Sequence, residues 1–377
     1  MTNMFTPYWI PLLNEISRLA GERGWQFRAV ALCDRESNRR WELGKDEYGF
    51  EYAILPGWQG VTSERGGTPR LNRGAFKALW DYSPDVVITS GYDAIAYWQA
   101  FIYAKVTGRK FILRSGTTLL SMGSNTGIRG RLKKFIVEGA DGFIAYGTKA
   151  KEYLESLGAD SYRIKICLNT VDMKYFRDRA LQVRAGEGFK ERRAGFPELL
   201  LLYSGQLIER KGLSRVLLSL GRLKDRDIGL IILGSGPQEA ELKRLCGQSG
   251  LTNVYFEGFR NQEELPGYYA LADALVLPSI EEAWGLVVNE ALASGQYVLC
   301  SKYAGAGYDL ITQGFNGELI DPDDTDGLTE SIKSLKDNIG VIKERRDEIS
   351  RRADEEFGVE ISARGFIEAA SQALGTP

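Results

Sequence analysis

Short apolar runs alternate with helix-length amphipathic stretches along almost the whole of the 377-residue chain. Runs of strand length occupy residues 26–33, 50–55, 85–89, 110–114, 142–145 and 163–167. The pattern breaks at a polar, Gly- and Arg-rich stretch, residues 178–195. It restarts at 199–204, 228–233, 253–256, 274–278, 297–301 and 317–320. Some runs are apolar without interruption, as in Gly229-Leu-Ile-Ile-Leu233, the pattern of strands in a parallel sheet with helices on both faces. Between them lie helical segments such as 237–248 and 285–293. Pro237 suits a first helical turn because no helical partner is lost with its missing N–H. Two series of β-α-β units separated by a hydrophilic linker predict two doubly wound α/β domains, residues 1–177 and 196–355. The last stretch, 356–377, contains an amphipathic helix with Phe366 and Ile367 on its apolar side. It is expected either to cap the second domain or to cross back to the first. The opening is odd: a doubly wound domain starts on a strand, yet residues 1–6 supply only a stub before Pro7. Either the first strand is very short or the natural chain starts upstream of Met1.

Composition narrows the chemistry. At 44% hydrophobic and 26% charged residues the chain reads as globular, and no uncharged apolar run reaches the roughly 18 residues that span a bilayer. The longest, 94–106, is interrupted by Gln99 and Lys105, and the N-terminus, with Pro7, Pro11, Asn14 and Glu15, lacks the apolar core of a signal peptide. Cys33, Cys167, Cys246 and Cys300 form no CxxC pair, which argues against zinc and disulfides and for a reducing cytoplasm. There is no histidine. A Ser–His–Asp triad, a His-ligated zinc and a His general base are therefore excluded, leaving carboxylates, Lys, Arg, Tyr, backbone dipoles or the substrate's own groups. Charge is segregated: residues 1–175 carry a balance of +6 and the remainder −8, so the first half suits an anionic partner.

The most informative segment is Ser279-Ile-Glu-Glu-Ala-Trp-Gly-Leu-Val-Val-Asn-Glu-Ala-Leu-Ala-Ser-Gly295, which follows an apolar run and opens into a helix. Gly285 has no side chain, so a phosphate can approach the N–H groups of Leu286 and Val287 at the helix N-terminus. Glu290, further along, is placed for hydrogen bonds from two ribose hydroxyls, and Glu282, in the loop before the helix, for the sugar of a bound donor. A second segment, Tyr203-Ser-Gly-Gln-Leu-Ile-Glu-Arg-Lys-Gly212, is again strand, loop and helix. Lys211 there offers a cation to the charge that develops on a departing nucleoside diphosphate.

With these segments the chain resembles glycosyltransferase family 4, retaining enzymes of the GT-B fold, strongly over residues 200–325 and weakly before 110. The family's E-x₇-E pattern is matched by Glu282 and Glu290. The resemblance implies a GT-B architecture, two Rossmann-like domains with an interdomain cleft, in which the second domain binds the nucleotide sugar and the first the acceptor. It further implies donor contacts from Gly205, Gln206 and Lys211, from the turn Leu233-Gly-Ser-Gly-Pro237 through Gly234 and Gly236, and from Phe259 and Arg260 beside the nucleobase. Where the family usually has Arg directly after the glycine, this chain has Gln206, with Arg210 nearby. Many relatives carry a histidine near 110–118; here the residues are Arg114 and Ser115, and Arg114 or Ser115 is the expected replacement in orienting sugar or acceptor.

The reaction implied is transfer of a hexose-type residue, most simply UDP-linked, from a nucleoside-diphosphate sugar to a hydroxyl, with retention. Glu282, Lys211 and Arg114 are its expected catalytic residues, in cell-surface polysaccharide, glycolipid or related synthesis. No cofactor and no metal are expected. The acidic Asp321-Pro-Asp-Asp324 reads as a turn plus helix N-cap, not as a strand-end DxD. The basic run 129–134 before Phe135-Ile-Val137 suits either an anionic bilayer, with a lipid-linked or saccharide acceptor on the inner face of a membrane, or a solvated helix face. No nucleic-acid partner is expected. The alternatives are a nucleotide-sugar epimerase of the same fold and a non-catalytic nucleotide-sugar-binding subunit.

Overall fold

The computed structural model describes residues 1–34, 45–60, 70–72, 74–121 and 127–376. It divides the chain into Met1–Val171 with Val359–Pro377, and Asp172–Gly358.

The first unit runs α1 (Trp9–Glu22), β1 (Arg28–Ala31), β2 (Glu51–Ile54), β3 (Gly57–Gln59), β4 (Arg70–Asn72), α2 (Ala75–Tyr82), β5 (Val86–Thr89), α3 (Ile95–Thr107), β6 (Lys110–Ser115), α4 (Ile128–Gly139), β7 (Gly142–Ala145), α5 (Thr148–Ser156) and β8 (Ile164–Ile166). β1 and β2 pair in parallel, and β5-β6-β7-β8 form a parallel four-stranded sheet. The small antiparallel pair β3·β4 has no counterpart in the apolar pattern, because strands of three residues carry too little periodicity to read. The opening stub lies between the two parallel groups. Thr2 N–H donates to the Val30 carbonyl (2.8 Å) and Leu32 N–H to the Thr2 carbonyl (3.0 Å), while Ser90 N–H donates to the Met1 carbonyl (3.0 Å).

The second unit contains α6 (Met173–Ala185), α7 (Phe189–Ala194), β9 (Leu199–Ser204), α8 (Leu213–Leu223), β10 (Ile228–Leu233), α9 (Glu239–Gln248), β11 (Val254–Gly258), α10 (Leu265–Leu271), β12 (Ala274–Leu277), α11 (Leu286–Ala293), β13 (Tyr297–Ser301), α12 (Gly307–Leu310), β14 (Gly317–Ile320), α13 (Thr325–Asp337), α14 (Ile339–Glu344) and α15 (Arg346–Phe357). Its sheet is parallel throughout in the order β11-β10-β9-β12-β13-β14, so the strand order reverses between β9 and β12. Leu199, Leu201, Leu230, Ile232, Val276 and Leu299 lie in one core with residues of α8 and α13. Full burial of each such side chain contributes about 1.5–3 kcal/mol.

The chain then returns to the first unit through α16 (Val359–Leu374), which packs on α1 and lays Phe366 and Ile367 against Leu12 and Ile16. Two doubly wound, Rossmann-like α/β units are therefore present.

Three local expectations change. Residues 178–195 are not a linker: α6 and α7 belong to the second unit, and Asp172 caps α6 through the Tyr175 N–H (2.9 Å). The polar composition hid α6 because it buries only Met173, Phe176 and Ala180, while Arg184 reaches across to the carbonyl oxygens of Ser294 (2.6 Å) and Ala270 (3.3 Å). The boundary lies at Val171/Asp172 rather than across 177–196, and the return at Gly358/Val359. Pro237 lies in the turn before α9, which starts at Glu239.

Candidate functional site

In a parallel sheet the loops that leave the strand C-termini on either side of an order reversal diverge, opening a crevice for ligands. Here those loops follow β9 and β12, the strands on either side of the reversal. The β9 loop carries Lys211 and the β12 loop Glu282, and the two form an ion pair in which both side chains are about 15% exposed, 16% for Lys211 and 14% for Glu282.

Backbone contacts fix the loops against each other. Ile280 N–H donates to the Arg210 carbonyl (2.9 Å), and the Arg210 guanidinium donates to the Glu281 carbonyl (3.3 Å). Gly212, at φ +69°, passes so close to Pro278 that a Cβ would lie 2.1 Å from its carbonyl oxygen. On the other side, the Glu282 carbonyl accepts from Gly305 N–H (3.3 Å) and the Trp284 carbonyl from Ala306 N–H (3.1 Å), so the loop after β13 braces the Glu282 loop. The buried Trp284 indole donates to Asn289 Oδ1 (3.0 Å) within α11.

Gly205 and Gln206 leave β9 directly over the turn after β10. A Cβ on Gly234 (φ +132°) would lie 1.8 Å from the Gly205 carbonyl oxygen, and one on Gly236 2.3 Å from that of Leu207. Leu207 N–H donates to Ser235 O (3.1 Å) and Gln238 N–H to Leu207 O (3.1 Å). The Tyr203 hydroxyl, buried beneath, donates to the Gln206 carbonyl (2.8 Å). The GxG turn thus packs against the glycine loop backbone to backbone.

Gly285 (φ +102°) is the N-cap of α11, and Val288 N–H turns back to its carbonyl (2.9 Å). The N–H groups of Leu286 and Val287 stand in the first helical turn, where an α-helix offers no internal acceptor and the helix dipole is positive. Glu290 lies four residues on, roughly 6 Å along the axis at 1.5 Å per residue. Its carboxylate is buried and accepts from the Tyr269 hydroxyl (2.6 Å).

The charge on Glu282 is felt below the site. Burial first, and Glu282 second, push the Cys300 thiol up to about 12, and the same two causes raise the Tyr203 phenol well above its usual range. A half-buried ammonium suits an anion, as does a helix N-terminus, and the carboxylates of Glu282 and Glu290 suit hydroxyl donors. Among the described residues no three His, Cys, Asp or Glu side chains gather into a group that would hold a metal ion. Asp324 caps α13 through Gly327 N–H (2.9 Å), Asp321 binds Lys302 (2.6 Å), and Asp323 binds Arg215 (2.9 Å).

Lys211 and Glu282 thus pair between the loops after β9 and β12, Gly285, Leu286, Val287 and Glu290 lie at the start of and along the helix that the second loop opens into, and Gly205 and Gln206 pack on the turn of Gly234 and Gly236. Phe259 and Arg260 follow β11, whose last residue meets the turn after β10: Gly234 N–H donates to the Gly258 carbonyl (2.7 Å). Arg260 is engaged by Glu257 (2.8 Å) and Glu264 (3.6 Å), with Tyr268 stacked beside it. Arg114 belongs to the other unit and is 1% exposed. Its guanidinium lies 4.2 Å and 3.9 Å from the ring centroids of Trp9 and Tyr146, and donates to Tyr146 Oη (2.7 Å) and Asn169 Oδ1 (3.1 Å). Sequence reasoning missed Tyr269, whose link to Glu290 crosses 21 residues and has no local signature. It passed over the close approach of Gly212, which the Lys-Gly pair signals.

Residues 189–356 match the family described as "Glycosyl transferases group 1". The chain is 31% identical over 145 residues to an uncharacterized glycosyltransferase of Methanocaldococcus jannaschii (38% of this chain, 37% of that protein). It is 30% identical over 217 residues to the D-inositol 3-phosphate glycosyltransferase of Thermomonospora curvata (54% and 50%). The matches thus span half or less of the length of these curated relatives. Among solved structures, the chain superposes on a glycosyltransferase from Rickettsia africae with a TM-score of 0.75 at 16% identity, over 100% of this chain and 98% of that one. It superposes on Anabaena HepE in complex with UDP and glucose with a TM-score of 0.73 at 18% identity, over 98% of each. These likenesses identify the fold as GT-B.

Proposed function

Residues 189–356 belong to the glycosyl transferases group 1, and on that premise we propose that the protein transfers a sugar from a nucleoside-diphosphate sugar to a hydroxyl acceptor. The observation that carries this reading is the Lys211–Glu282 pair at the strand-order reversal, beside the N-terminus of α11. Lys211 and the N–H groups of Leu286 and Val287 receive the diphosphate, Glu290 the ribose and Glu282 the sugar hydroxyls. UDP is the nucleotide favoured, in keeping with the UDP-bound HepE of the same fold. Tyr269 fixes the Glu290 carboxylate so that it meets ribose in one orientation.

Transfer proceeds with retention by a front-face route. The chain has no histidine to act as base, and the leaving phosphate oxygen takes the acceptor's proton as the glycosidic bond breaks and the new one forms. Lys211 and the helix N-terminus stabilise the charge that grows on that phosphate, which assigns no step to a metal. Activity is therefore expected to survive EDTA; loss on chelation with recovery on adding Mg²⁺ or Mn²⁺ overturns that part.

The acceptor is a lipid-linked or saccharide hydroxyl of a surface polysaccharide or glycolipid. Supporting the lipid-linked form, the first unit exposes Ile102 and Val106 on α3 and Leu132 and Phe135 on α4, next to Arg131 and Lys134. No described helix is long and apolar enough to cross a membrane, so the contact would be peripheral.

Calorimetric titration with UDP, GDP and ADP, followed by transfer assays with the matching sugar nucleotides, tests the reading. Micromolar binding of one nucleotide, lost in Lys211→Ala, supports it; no binding of any of them by the folded protein removes it.

A further inference from the structure

The chain enters α11 through Trp284 and Gly285. Gly285 is the N-cap, so Trp284 stands at N′ and Asn289 at N4. Side chains at these two positions ordinarily meet as an apolar staple that fixes the angle at which a chain enters its helix. Here the staple is polar: the buried Trp284 indole N–H donates to Asn289 Oδ1 (3.0 Å). Asn289 is wholly buried, and its Nδ2 has no partner among the described residues. A leucine at N4 would avoid both the poor helix propensity of Asn and the burial of an unpaired donor. What the polar pair adds over apolar packing is direction, because an N–H aimed at one oxygen resists rotation of the indole.

Direction matters here because Trp284 stands two residues from Glu282. Between them the backbone leans on the loop after β13, with Glu282 bridged to Ala304 and the Trp284 carbonyl accepting from Ala306 N–H (3.1 Å). The Glu282 side chain folds over the N-cap, its Cγ 3.5 Å from where a Cβ on Gly285 would lie. Turning Trp284 about that glycine would therefore carry the Glu282 carboxylate across the helix N-terminus. Glu290 would stay, since Tyr269 holds it independently.

We propose that Asn289 is a positioning residue that acts through Trp284: it aims the Glu282 carboxylate at the hydroxyls of the donor sugar and so separates sugar nucleotide from free nucleotide. This rests on the donor-site reading given above. An ammonium and a helix N-terminus attract a diphosphate by charge, with wide tolerance in angle, whereas a carboxylate must meet sugar hydroxyls in line.

Calorimetric titration of UDP and UDP-glucose into the wild-type chain, Asn289→Leu, Trp284→Phe and the double variant tests the proposal, with melting curves confirming that each is folded. Each single variant is expected to weaken UDP-glucose binding at least tenfold and to leave the Kd of UDP within twofold. The double variant is expected to lose no more than the worse single one, since one bond is at stake. A staple that merely holds the helix would shift both ligands together. UDP-glucose affinity unchanged in the folded variants, or UDP affinity falling in step with it, overturns the positioning role while leaving the donor site in place. Binding of neither ligand by the wild-type chain removes the UDP-sugar reading on which the proposal rests, and the proposal with it.

Discussion

The ammonium of Lys211 and the carboxylate of Glu282, 71 residues apart in sequence, are each other's partners across the point where the strand order of the second unit reverses. Each belongs to a loop that the other loop fixes, through Ile280 N–H to Arg210 O and through Gly212 against Pro278. In the proposed reading, a diphosphate arriving at the helix N-terminus takes Lys211 as its counter-charge and leaves the Glu282 carboxylate to accept from sugar hydroxyls.

Lys211→Ala is expected to lower kcat/KM by roughly 30- to 150-fold, the equivalent of about 2–3 kcal/mol for a lost hydrogen bond to a charged group. Glu282→Ala is expected to act similarly, and the double variant to lose less than the product of the two, because each single change strands the other's half-buried charge. Strict additivity in a double-mutant cycle on the folded proteins shows that the pair does not act as a unit.

Most of this site was legible from sequence because its parts are local. Gly285 with Glu290, and Lys211 with Gly212, lie within single strand–loop–helix units whose apolar strands announce themselves. Two of the expected site residues are engaged by neighbours, Arg114 by long-range ones and Arg260 by a local one. Arg114 looked available because its strand ends as a binding strand does, yet Trp9 and Tyr146, 105 positions before it and 32 after it, close over its guanidinium. Arg260 is taken by Glu257, a pairing that the sequence allows but does not require. The α6–α7 segment failed differently, since helices that bury one narrow face read as polar.

Gly234→Ala probes the packing of the two glycine loops. The added Cβ meets the Gly205 carbonyl at 1.8 Å, at a φ that a side chain strains to adopt. Strain of this type costs about 1–3 kcal/mol, so the variant is expected to lose several degrees of Tm and most nucleotide affinity. Gly247→Ala, in α9 with open space at its Cβ, is the control, and its helix propensity predicts a gain of up to about 1 kcal/mol. Equal melting temperatures for the two variants would mean that the loops are not in this contact.

The buried terminal amine gives the 377-residue chain a pH signature. Burial, and secondarily the charge of Arg114, push it down to about 5 from an ordinary value near 8. Between those values the unfolded chain binds more protons than the folded one, so stability rises with pH and is lost as pH falls from 8 to 5. Three pH units correspond to at most ~4 kcal/mol. Denaturant titrations at pH 5, 6.5 and 8 measure the slope, and acetylating Met1 is expected to flatten it. A slope that acetylation leaves unchanged assigns the effect to other groups.

Membrane association is the reading that joins the charge segregation to the surface of the first unit. α3 and α4 lie side by side, Phe101 touching Phe135 at 5.8 Å between ring centroids. Together they expose Ile102 at 50% and Phe135 at 58%. A solvated helix face needs no such residues, whereas an interfacial one uses them for insertion and its cations for attraction to anionic headgroups, about 1 kcal/mol each. Binding to vesicles is therefore expected to require anionic lipid and to weaken with salt, as the Debye length falls from about 10 Å at 0.1 M to about 3 Å at 1 M. Replacing Arg131, Lys133 and Lys134 by Gln should lower co-sedimentation and its salt dependence together, and Phe135→Ser should lower binding while leaving the salt dependence in place. Nucleotide affinity should be untouched by either change, because the proposed donor residues Lys211, Glu282 and Glu290 belong to the second unit. If the wild-type chain stays in the supernatant with anionic vesicles at low salt, the run is a solvated face and a soluble saccharide acceptor takes its place.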